Sequence, residues 1–269
     1  WRIKFWDDDG SEGAWSTTTA YFTMANVGYY VQRSSTTSSD ENWDSETVIG
    51  SDSFGFGHMS LVPMGSGQLM ALYNDYDGTN YNLKYKIYDG SSWSGSATTV
   101  VTDCKDNTAK ADWNEYHWFS AVADSSNNVH VVYVDSDDND LNYIWYNGSA
   151  WSSSQEIYTG TVTHPSLSYD PTTGNLIAFF LEDGAVKYKA KASGSWGSSS
   201  GAAVIESGLN SPSYLGSAYS DGTSIGIIWR EGSSNPYTIS YATLSPSEAY
   251  SGVIRIKGRV RLKGGVRLK

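Results

Sequence analysis

A tyrosine followed eight positions later by a tryptophan recurs along the chain, and this repeat constrains the fold more than any other feature. Three copies are LKYKIYDGSSW, LNYIWYNGSAW and VKYKAKASGSW, which contain Tyr85 and Trp93, Tyr143 and Trp151, and Tyr188 and Trp196. A fourth copy has Tyr241 and Tyr250, and a looser one has Tyr29 and Trp43. The repeated tyrosines are 56, 58, 45 and 53 residues apart. Such a period is typical of an array in which each repeat is one supersecondary unit.

Two further patterns recur upstream of the last four tyrosines. An apolar run that ends in aromatic-x-acid occurs as LMALYND, VHVVYVD, LIAFFLE and IGIIWRE. These runs place the acids at one equivalent position: Asp75, Asp135, Glu182 and Glu231. Further upstream lie HMSLVP, HWFSAVA, HPSLSYD and SPSYLGS, which begin with His58, His117, His164 and Ser211. Each unit therefore predicts four short strands separated by turns.

Four short strands per repeat are typical of a propeller blade. We predict an all-β fold, a five-bladed β-propeller of four-stranded blades over residues 1–256, with a C-terminal extended β tail. The blades are expected at about 1–50, 51–104, 105–160, 161–207 and 208–256. A β-sandwich or a β-solenoid is the alternative, but sandwiches rarely repeat one motif five times and solenoid turns are shorter.

The net charge of −11 conceals a division between the tail and the rest of the chain. Residues 255–269 carry seven Lys or Arg and no acid, so the other 254 residues hold 11 bases against 29 acids, a charge of −18. A surface this acidic repels phosphate backbones, so nucleic acid is an unlikely partner of the propeller. No apolar run reaches the length of a membrane span.

The tail itself has a short repeat, IRIKGR VRLKGG VRLK, in which apolar and basic residues alternate. An extended strand of this kind has one apolar face and invites pairing with another chain. It resembles the repeating stalk segments of trimeric viral fibres. We therefore expect residues 257–269 to be a basic β-strand for assembly, with copies of itself or with other assembly proteins.

The hairpins YDGSSW and YNGSAW resemble a shortened Asp-box, the Ser/Thr-x-Asp-x-Gly-x-x-Trp turn of sialidase-like propellers. Asp89 or Asn147 matches its acid and Gly90 or Gly148 its glycine, with one residue missing between them. In that family the box is a structural turn on the face away from the active site. In an up-and-down four-stranded blade, the first strand begins and the second strand ends on one side, and the turn between the third and fourth strands lies on the other. We therefore expect the Tyr–Trp hairpins at the bottom of the propeller and the histidines and repeated acids at the top.

The loops that enter the predicted top face carry flat aromatic rings beside polar groups, in SDSFGFGH and DWNEYHWF. Such rings match the C–H faces of sugars, whose hydroxyls take polar partners. The candidate ligand-binding residues are Phe54, Phe56, His58, Trp113, Tyr116, His117, Trp118 and His164. Packing between blades is the alternative for these rings, and it is the role that we expect for the tryptophans of the repeat, Trp43, Trp93, Trp151 and Trp196. For the histidines, pins between blades or a metal-binding ring remain open.

The repeated acids offer a catalytic alternative, because a glycosidase needs two carboxylates that face one another across the scissile bond. Asp75, Asp135, Glu182 and Glu231 are the candidates. The acidic loop DSDDND gives Asp135, Asp137 and Asn139 the spacing of calcium ligands, but it lacks the glycine and glutamate of an EF-hand. A loose Ca²⁺ site is therefore the one cofactor considered.

These observations leave three hypotheses. The first is a non-catalytic recognition propeller that binds a cell-surface or polysaccharide glycan and is carried on a virion or an extracellular assembly. The second is a glycoside hydrolase that uses two of the repeated acids. The third is a purely structural coat or filament subunit. Sialidase chemistry is disfavoured, since that family binds its substrate with three arginines and residues 1–254 contain only Arg2, Arg33 and Arg230.

Overall fold

Strands and turns make up all of the chain that the computed structural model describes, namely residues 27–30, 47–51, 58–76, 81–105, 117–219, 224–234 and 237–245. Across these ranges there is no helix, and hence no helix of the length and apolarity needed to cross a membrane. The predicted all-β class is confirmed. The tail at 257–269 lies outside the described residues, as do Phe54, Phe56, Trp113 and Tyr116.

The chain divides into two compact units, Trp1–Gly55 and Phe56–Lys269. In the first unit, β1 (Val27–Tyr30) pairs antiparallel with β2 (Thr47–Ser51), and Tyr29 lies opposite Val48. This pairing agrees with the reading of the looser repeat as a third strand, with its tyrosine, followed by a fourth. All other described strands belong to the second unit.

The second unit contains four antiparallel sheets in which the strands follow chain order. Sheet A consists of β3 (Met59–Gly65), β4 (Gln68–Tyr76), β5 (Tyr81–Tyr88) and β6 (Thr98–Val101). Sheet B consists of β7 (Phe119–Ala123), β8 (Val129–Val134), β9 (Leu141–Tyr146) and β10 (Gln155–Tyr158). Sheet C consists of β11 (Thr163–Asp170), β12 (Asn175–Glu182), β13 (Ala185–Lys191) and β14 (Ala203–Glu206). Sheet D consists of β15 (Ser213–Tyr219), β16 (Ile225–Glu231) and β17 (Thr238–Leu244).

The first strands of the sheets lie side by side, with β3 against β7, β7 against β11, and β11 against β15. Up-and-down sheets that meet through their first strands are the blades of a β-propeller. The predicted propeller is therefore confirmed for sheets A to D, and the count of five blades stays a prediction.

The register of the sheets explains the repeat. Each repeated tyrosine on a third strand pairs with a second-strand residue that lies three positions before the repeated acid. The pairs are Tyr85 with Leu72, Tyr143 with Val132, Tyr188 with Phe179, and Tyr241 with Ile228. Asp75, Asp135, Glu182 and Glu231 therefore occupy equivalent places at the ends of the second strands.

The core lies between the sheets, so the second strands of sheets B and C are covered on both faces. All six residues of β8, VHVVYV, are buried, and β12 is buried from Leu176 to Glu182. A strand buried on both faces reads as a continuous apolar run, which is why the second strands are the most apolar segments. Each large side chain buried this way contributes about 1.5–3 kcal/mol to folding.

The Tyr–Trp hairpins connect neighbouring sheets. The indole of Trp151 in sheet B meets the ring of Tyr85 in sheet A edge-on, with centroids 5.4 Å apart. Trp196 in sheet C meets Tyr143 in sheet B in the same way at 5.2 Å. These rings pack between sheets as predicted, at the end of the sheets opposite the repeated acids.

The turns of the first two hairpins have the same local chemistry. Oδ1 of Asp89 accepts hydrogen bonds from the backbone N–H groups of Ser91 and Ser92, both at 2.8 Å. Oδ1 of Asn147 accepts the equivalent bonds, at 3.0 and 2.8 Å. The glycine that follows each has a positive φ, +101° at Gly90, where side chains are disfavoured. Short-range turn chemistry thus explains the Asp/Asn-Gly-Ser motif, while its kinship with the Asp-box stays a prediction.

Candidate ligand-binding site

The upper end of the sheets is the end where each first strand begins and each second strand finishes. The N–H of Asn74 donates to the carbonyl of His58 at 3.3 Å, and the N–H of Val134 donates to that of Trp118 at 2.8 Å. Each of these hydrogen bonds links the start of the first strand of a sheet to the end of the second strand of the same sheet. Side chains at these positions on neighbouring sheets therefore come close together.

Two of the predicted histidines meet at this end. The imidazole rings of His58 and His117 stack with centroids 4.4 Å apart and planes inclined by 24°. The edge of the His58 ring also contacts Phe119, at 4.6 Å between centroids. An imidazole pair thus lies at the upper end of the junction between sheets A and B.

Tyr214, on β15 of sheet D, contacts two of the predicted histidines on other sheets. Its ring lies 6.4 Å from that of His117 and 6.2 Å from that of His164. The guanidinium of Arg230 lies over the same ring at 4.4 Å and over the ring of Tyr237 at 4.2 Å. The six side chains that meet in this way, here called the histidine–arginine row, are His58, His117, His164, Tyr214, Arg230 and Tyr237.

An unusual backbone conformation orients two side chains of the row. His164 and Tyr214 have φ values of +51° and +53°, in the left-handed region that non-glycine residues rarely adopt. Both lie where the pairing with the second strand is interrupted, between Thr163 and Ser166 and between Ser213 and Gly216. Such irregularities re-aim side chains and are common next to binding sites. Tyr214, rather than the expected Ser211, is thus the counterpart of His164.

Burial keeps the imidazole pair neutral. Desolvation, together with the charge of His117, lowers the pKa of His58 to about 4. Burial also lowers the pKa of His117. At neutral pH each ring therefore offers one N–H donor and one acceptor nitrogen. Arg230 carries the permanent positive charge of the row, and its Nε donates to Oγ of Ser213 at 2.8 Å.

Two predicted ligand-binding residues are too deeply buried to present a ring face to a ligand. Trp118 is 5% exposed and packs in the core, with the ammonium of Lys105 4.7 Å from its ring centroid. His164 is 1% exposed and lies beneath Tyr214. His58, His117, Tyr214, Arg230 and Tyr237 are partly exposed. Tyr214, Arg230 and Tyr237 were not predicted, and the available signal was that Arg230 is the only arginine between Arg33 and Arg255.

Three of the repeated acids are held by the third strand of their own sheet. Asp75 pairs with Lys84, Glu182 with Lys187, and Glu231 accepts a hydrogen bond from Oγ of Ser240 at 2.6 Å. Lys84, Lys187 and Ser240 occupy equivalent positions, each two residues beyond the acid's cross-strand partner. This repetition is expected of a scaffold, because a catalytic pair would need two acids with different surroundings.

The surroundings of Glu182 and Asp135 differ. Burial opposes ionisation of Glu182, but hydrogen bonds from Lys187 and from the Tyr158 hydroxyl, at 2.5 Å, outweigh it and lower its pKa. Burial raises the pKa of Asp135, with further contributions from Asp138 and Asp137. Asp135 is therefore the repeated acid whose pKa moves in the direction that a general acid requires.

The candidate calcium ligands form a turn that is bound internally. Oδ1 of Asp135 accepts the N–H of Asp137 at 2.9 Å, and Oδ1 of Asn139 accepts a hydrogen bond from the Lys105 ammonium. The Lys105 ammonium thus already contacts Asn139, one of the three candidate calcium ligands. Among the described residues, no three His, Cys, Asp or Glu side chains are grouped so as to hold a metal ion. The Ca²⁺ site stays a prediction from the sequence.

Neither a family model nor a curated protein matches this sequence. Similar solved structures do exist. A protein of unknown function from Dyadobacter fermentans matches with a TM-score of 0.59 and 13% identity over 83% of this chain and 70% of its own. The fucose-specific lectin from Aleuria aurantia matches with a TM-score of 0.56 and 13% identity over 84% of this chain and 70% of its own.

The NanB sialidase of Streptococcus pneumoniae matches with a TM-score of 0.52 and 9% identity over 75% of this chain. The fold is that of a β-propeller. The present chain spans about half of the NanB chain, 52%. At these identities the likeness extends to the fold alone, so the functional argument depends on the residues at the upper end of the sheets.

Proposed function

We propose that the protein is a non-catalytic recognition propeller that binds a glycan at the histidine–arginine row. The observation that carries the proposal is that Arg230 lies over the rings of Tyr214 and Tyr237, and that the Tyr214 ring is 6.4 Å from that of His117 in the stacked pair of His58 and His117. Partly exposed rings offer stacking surface to the C–H face of a sugar. The imidazoles and the guanidinium supply hydrogen bonds for hydroxyl oxygens.

The named neighbours agree with this proposal, since one is a fucose-specific lectin and another a sialidase. We propose that the protein acts outside the cell or on a virion surface. Residues 257–269 would attach it to an assembly through the alternation of apolar and basic residues. A cell-surface or polysaccharide glycan is then the partner of the row.

The contacts of the acids favour binding over hydrolysis. Glu182 and Asp75 are neutralised by lysines of their own sheets, and Glu231 is hydrogen-bonded to Ser240 and to Nε1 of Trp229. Carboxylates tied to scaffold partners do not act readily as nucleophile or base.

The test is glycan-array binding by the full chain and by two tyrosine variants. Tyr214→Ala removes the central ring of the row, while Tyr169→Ala removes a partly exposed ring at the lower end, where its hydroxyl contacts Ser125. We expect Tyr214→Ala to weaken binding at least about tenfold and Tyr169→Ala to leave it unchanged. Thermal unfolding of both variants checks that they fold. An array without hits, or equal effects of the two substitutions, would overturn the proposal.

A glycoside hydrolase is the second candidate, favoured by the raised pKa of Asp135 alone. A general acid at this position would make turnover depend on its carboxyl group. Release of reducing sugar from polysaccharides by the full chain, abolished in Asp135→Asn and retained in Asp137→Asn, would establish it. Activity that survives Asp135→Asn, Glu182→Gln and Glu231→Gln individually would exclude this mechanism.

A further inference from the structure

We propose that Lys191 belongs to a second site, between sheets B and C, where its amine condenses with a small aldehyde to form an imine. The proposal rests on a chain of hydrogen bonds that joins the Lys191 amine to a carboxylate. Its four side chains, here called the lysine relay, are Asp124, His130, Tyr143 and Lys191. None of them belongs to the histidine–arginine row, so the proposal is independent of glycan binding.

The amine of Lys191 is held against sheet B. Lys187, Lys189 and Lys191 alternate along β13, so they project from the same face of the strand. The first and the last each donate a hydrogen bond to a tyrosine of sheet B, Tyr158 and Tyr143. Nζ of Lys191 lies 2.9 Å from the Tyr143 hydroxyl oxygen and 4.5 Å from the centroid of that ring.

The direction of the hydrogen bonds follows from the acidic end of the relay. The carboxylate of Asp124 only accepts, so its 3.1 Å contact places the imidazole proton of His130 on Nε2. Burial lowers the pKa of His130 although the hydrogen bond to Asp124 opposes this change, so the ring is neutral at pH 7 and its Nδ1 is an acceptor. The Tyr143 hydroxyl, 2.7 Å away, therefore donates to Nδ1, while its oxygen accepts from Lys191.

The charges along the relay suit proton transfer from the amine. Burial lowers the pKa of Lys191, although the charge of Asp124 opposes the change. Burial raises the pKa of Tyr143, so the phenol stays neutral and passes a proton on instead of losing one. Burial opposes ionisation of Asp124, but hydrogen bonds from Asn128 and His130 outweigh it and lower its pKa. A charged Asp124 can therefore stabilise an imidazolium at His130.

Imine formation begins with the removal of a proton from Lys191. The ammonium gives this proton to the Tyr143 oxygen as the hydroxyl proton moves to Nδ1 of His130, which leaves an imidazolium paired with Asp124. The lone pair of the amine then forms a bond to the aldehyde carbon, and the electron pair of the C=O bond moves to oxygen. The imidazolium returns its proton through Tyr143 to this oxygen, which gives a carbinolamine.

The same path serves the loss of water. The nitrogen of the carbinolamine gives a second proton to His130 through Tyr143, and the hydroxyl group takes that proton back and leaves as water. The nitrogen lone pair forms the C=N bond, so the products are a protonated imine and one water molecule. Acylation re-forms its carbonyl group and needs no proton on that oxygen, so a path that returns protons favours an aldehyde.

The packing around the relay limits the size of the aldehyde. Lys191 is partly exposed, whereas His130 is 7% and Tyr143 3% exposed. The Tyr143 ring also packs against Trp196, with centroids 5.2 Å apart. The aldehyde must therefore reach the amine from the solvent side of Lys191 and be small.

Reductive trapping with acetaldehyde tests the site. The full chain would be treated at pH 7 with acetaldehyde and sodium cyanoborohydride, which delivers hydride to the imine carbon and leaves a stable secondary amine. Peptide mass spectrometry then gives the rate of modification at each lysine. We expect Lys191 to react at least about tenfold faster than Lys86 of β5, which is also partly exposed.

Two substitutions assign the rate to the relay. Tyr143→Phe keeps the ring but removes the hydroxyl that links the amine to the imidazole, and His130→Gln removes the group that holds the proton. Each should slow the reaction at Lys191 about tenfold and leave the rate at Lys86 unchanged. Thermal unfolding shows whether each variant is folded.

Lys189 is the internal control for burial. Burial lowers its pKa as well, but its Nζ donates to the carbonyl of Ser198, which cannot take up the proton. Lys189 also lines a cavity of about 530 Å³, which is large enough for acetaldehyde. It should therefore react more slowly than Lys191, and at the same rate in both variants.

Three results would overturn the proposal. The first is an equal rate at Lys191 and Lys86. The second is a fast reaction at Lys191 that both variants retain, because burial alone would then activate the amine. If neither variant folds, Asp124→Asn carries the test, since it keeps an oxygen acceptor but removes the charge that stabilises the imidazolium. It should slow Lys191 at least about threefold, and an unchanged rate is the third result.

Discussion

The imidazole rings of His58 and His117 stack 4.4 Å apart at the junction of sheets A and B, and this pairing makes the junction sensitive to acid. The pKa of His58 falls from 6.5 in water to about 4 in the fold, because burial and the charge of His117 oppose its protonation. The folded state therefore takes up this proton less readily than the unfolded state.

The free energy of unfolding should decrease as the pH falls from about 6.5 towards 4. Protonation of His58 can account for at most roughly 3 kcal/mol of this decrease. Urea unfolding at pH 7.5 and 4.5 measures the change. His58→Gln removes one group whose pKa differs between the folded and unfolded states in this window, so we expect it to lose less stability between the two pH values than the unmodified chain. Equal losses would show that His58 does not control the acid response.

Glu182 is expected to change stability in the same direction, but in a lower pH range. Its pKa is lowered in the fold, so its stabilisation is present above the ordinary glutamate pKa and is lost as the pH falls through the lowered value. Glu182→Gln should destabilise the protein by about 1–3 kcal/mol at pH 7, because Lys187 and the Tyr158 hydroxyl lose a charged partner.

The matched control for Glu182→Gln is Asp75→Asn. It breaks the equivalent pair in sheet A, whose side chains are more exposed, 22% and 15% for Lys84 and Asp75 against 19% and 7% for Lys187 and Glu182. Exposed ion pairs are worth less, so the loss should be smaller in denaturant unfolding. A larger loss from Asp75→Asn would contradict the ranking.

Trp196→Ala should be among the most destabilising single changes at the lower end of the sheets. The indole is 3% exposed and contacts Tyr143 of the neighbouring sheet, so its removal leaves a cavity between sheets B and C. A loss of about 3–5 kcal/mol is expected in urea unfolding. Trp93→Ala is the comparison, because that indole is more exposed, and its loss should be smaller.

Truncation after Ile256 tests the role of the basic tail. The alternation of apolar and basic residues in 257–269 predicts pairing with another chain, so light scattering should show assembly by the full chain and less by the truncated one. The truncated chain should keep the thermal unfolding transition and the sugar affinity of the full chain. Assembly that continues without the tail would remove this role.

Much of the scaffold could be predicted because its rules act over short distances in the chain. The alternation of apolar runs and turns, the Asp/Asn-Gly-Ser turns at Asp89 and Asn147, and the spacing from Tyr85 to Trp93 all reflect strands and hairpins that form locally. The packing of Trp151 and Trp196 between sheets followed from their recurrence, since a ring repeated in every unit serves an interface that is repeated as well.

The candidate site could be predicted only in part. Its location at the upper end followed from strand order, and His58 and His117 were among the residues expected there. The sequence did not predict that Tyr214 belongs to the row. The position of its ring depends on an irregularity in the pairing of β15, where its backbone has a φ of +53°. Trp118 was expected to face a ligand, but it lies in the core with Lys105 over its ring.

The sequence by itself determined the repeat, the strand order and the equivalence of Asp75, Asp135, Glu182 and Glu231. Periodic burial and turn chemistry depend on residues that are close together in the chain, so they can be recognised without the tertiary structure. The tertiary structure alone decided which of those residues meet. Asp75, Glu182 and Glu231 contact lysines and a serine of their own sheets. Arg230 lies over the rings of Tyr214 and Tyr237, and the row extends to His58. Such contacts join residues as much as 97 positions apart in the chain, His117 and Tyr214, and depend on register and on how sheets pack, which no local pattern encodes.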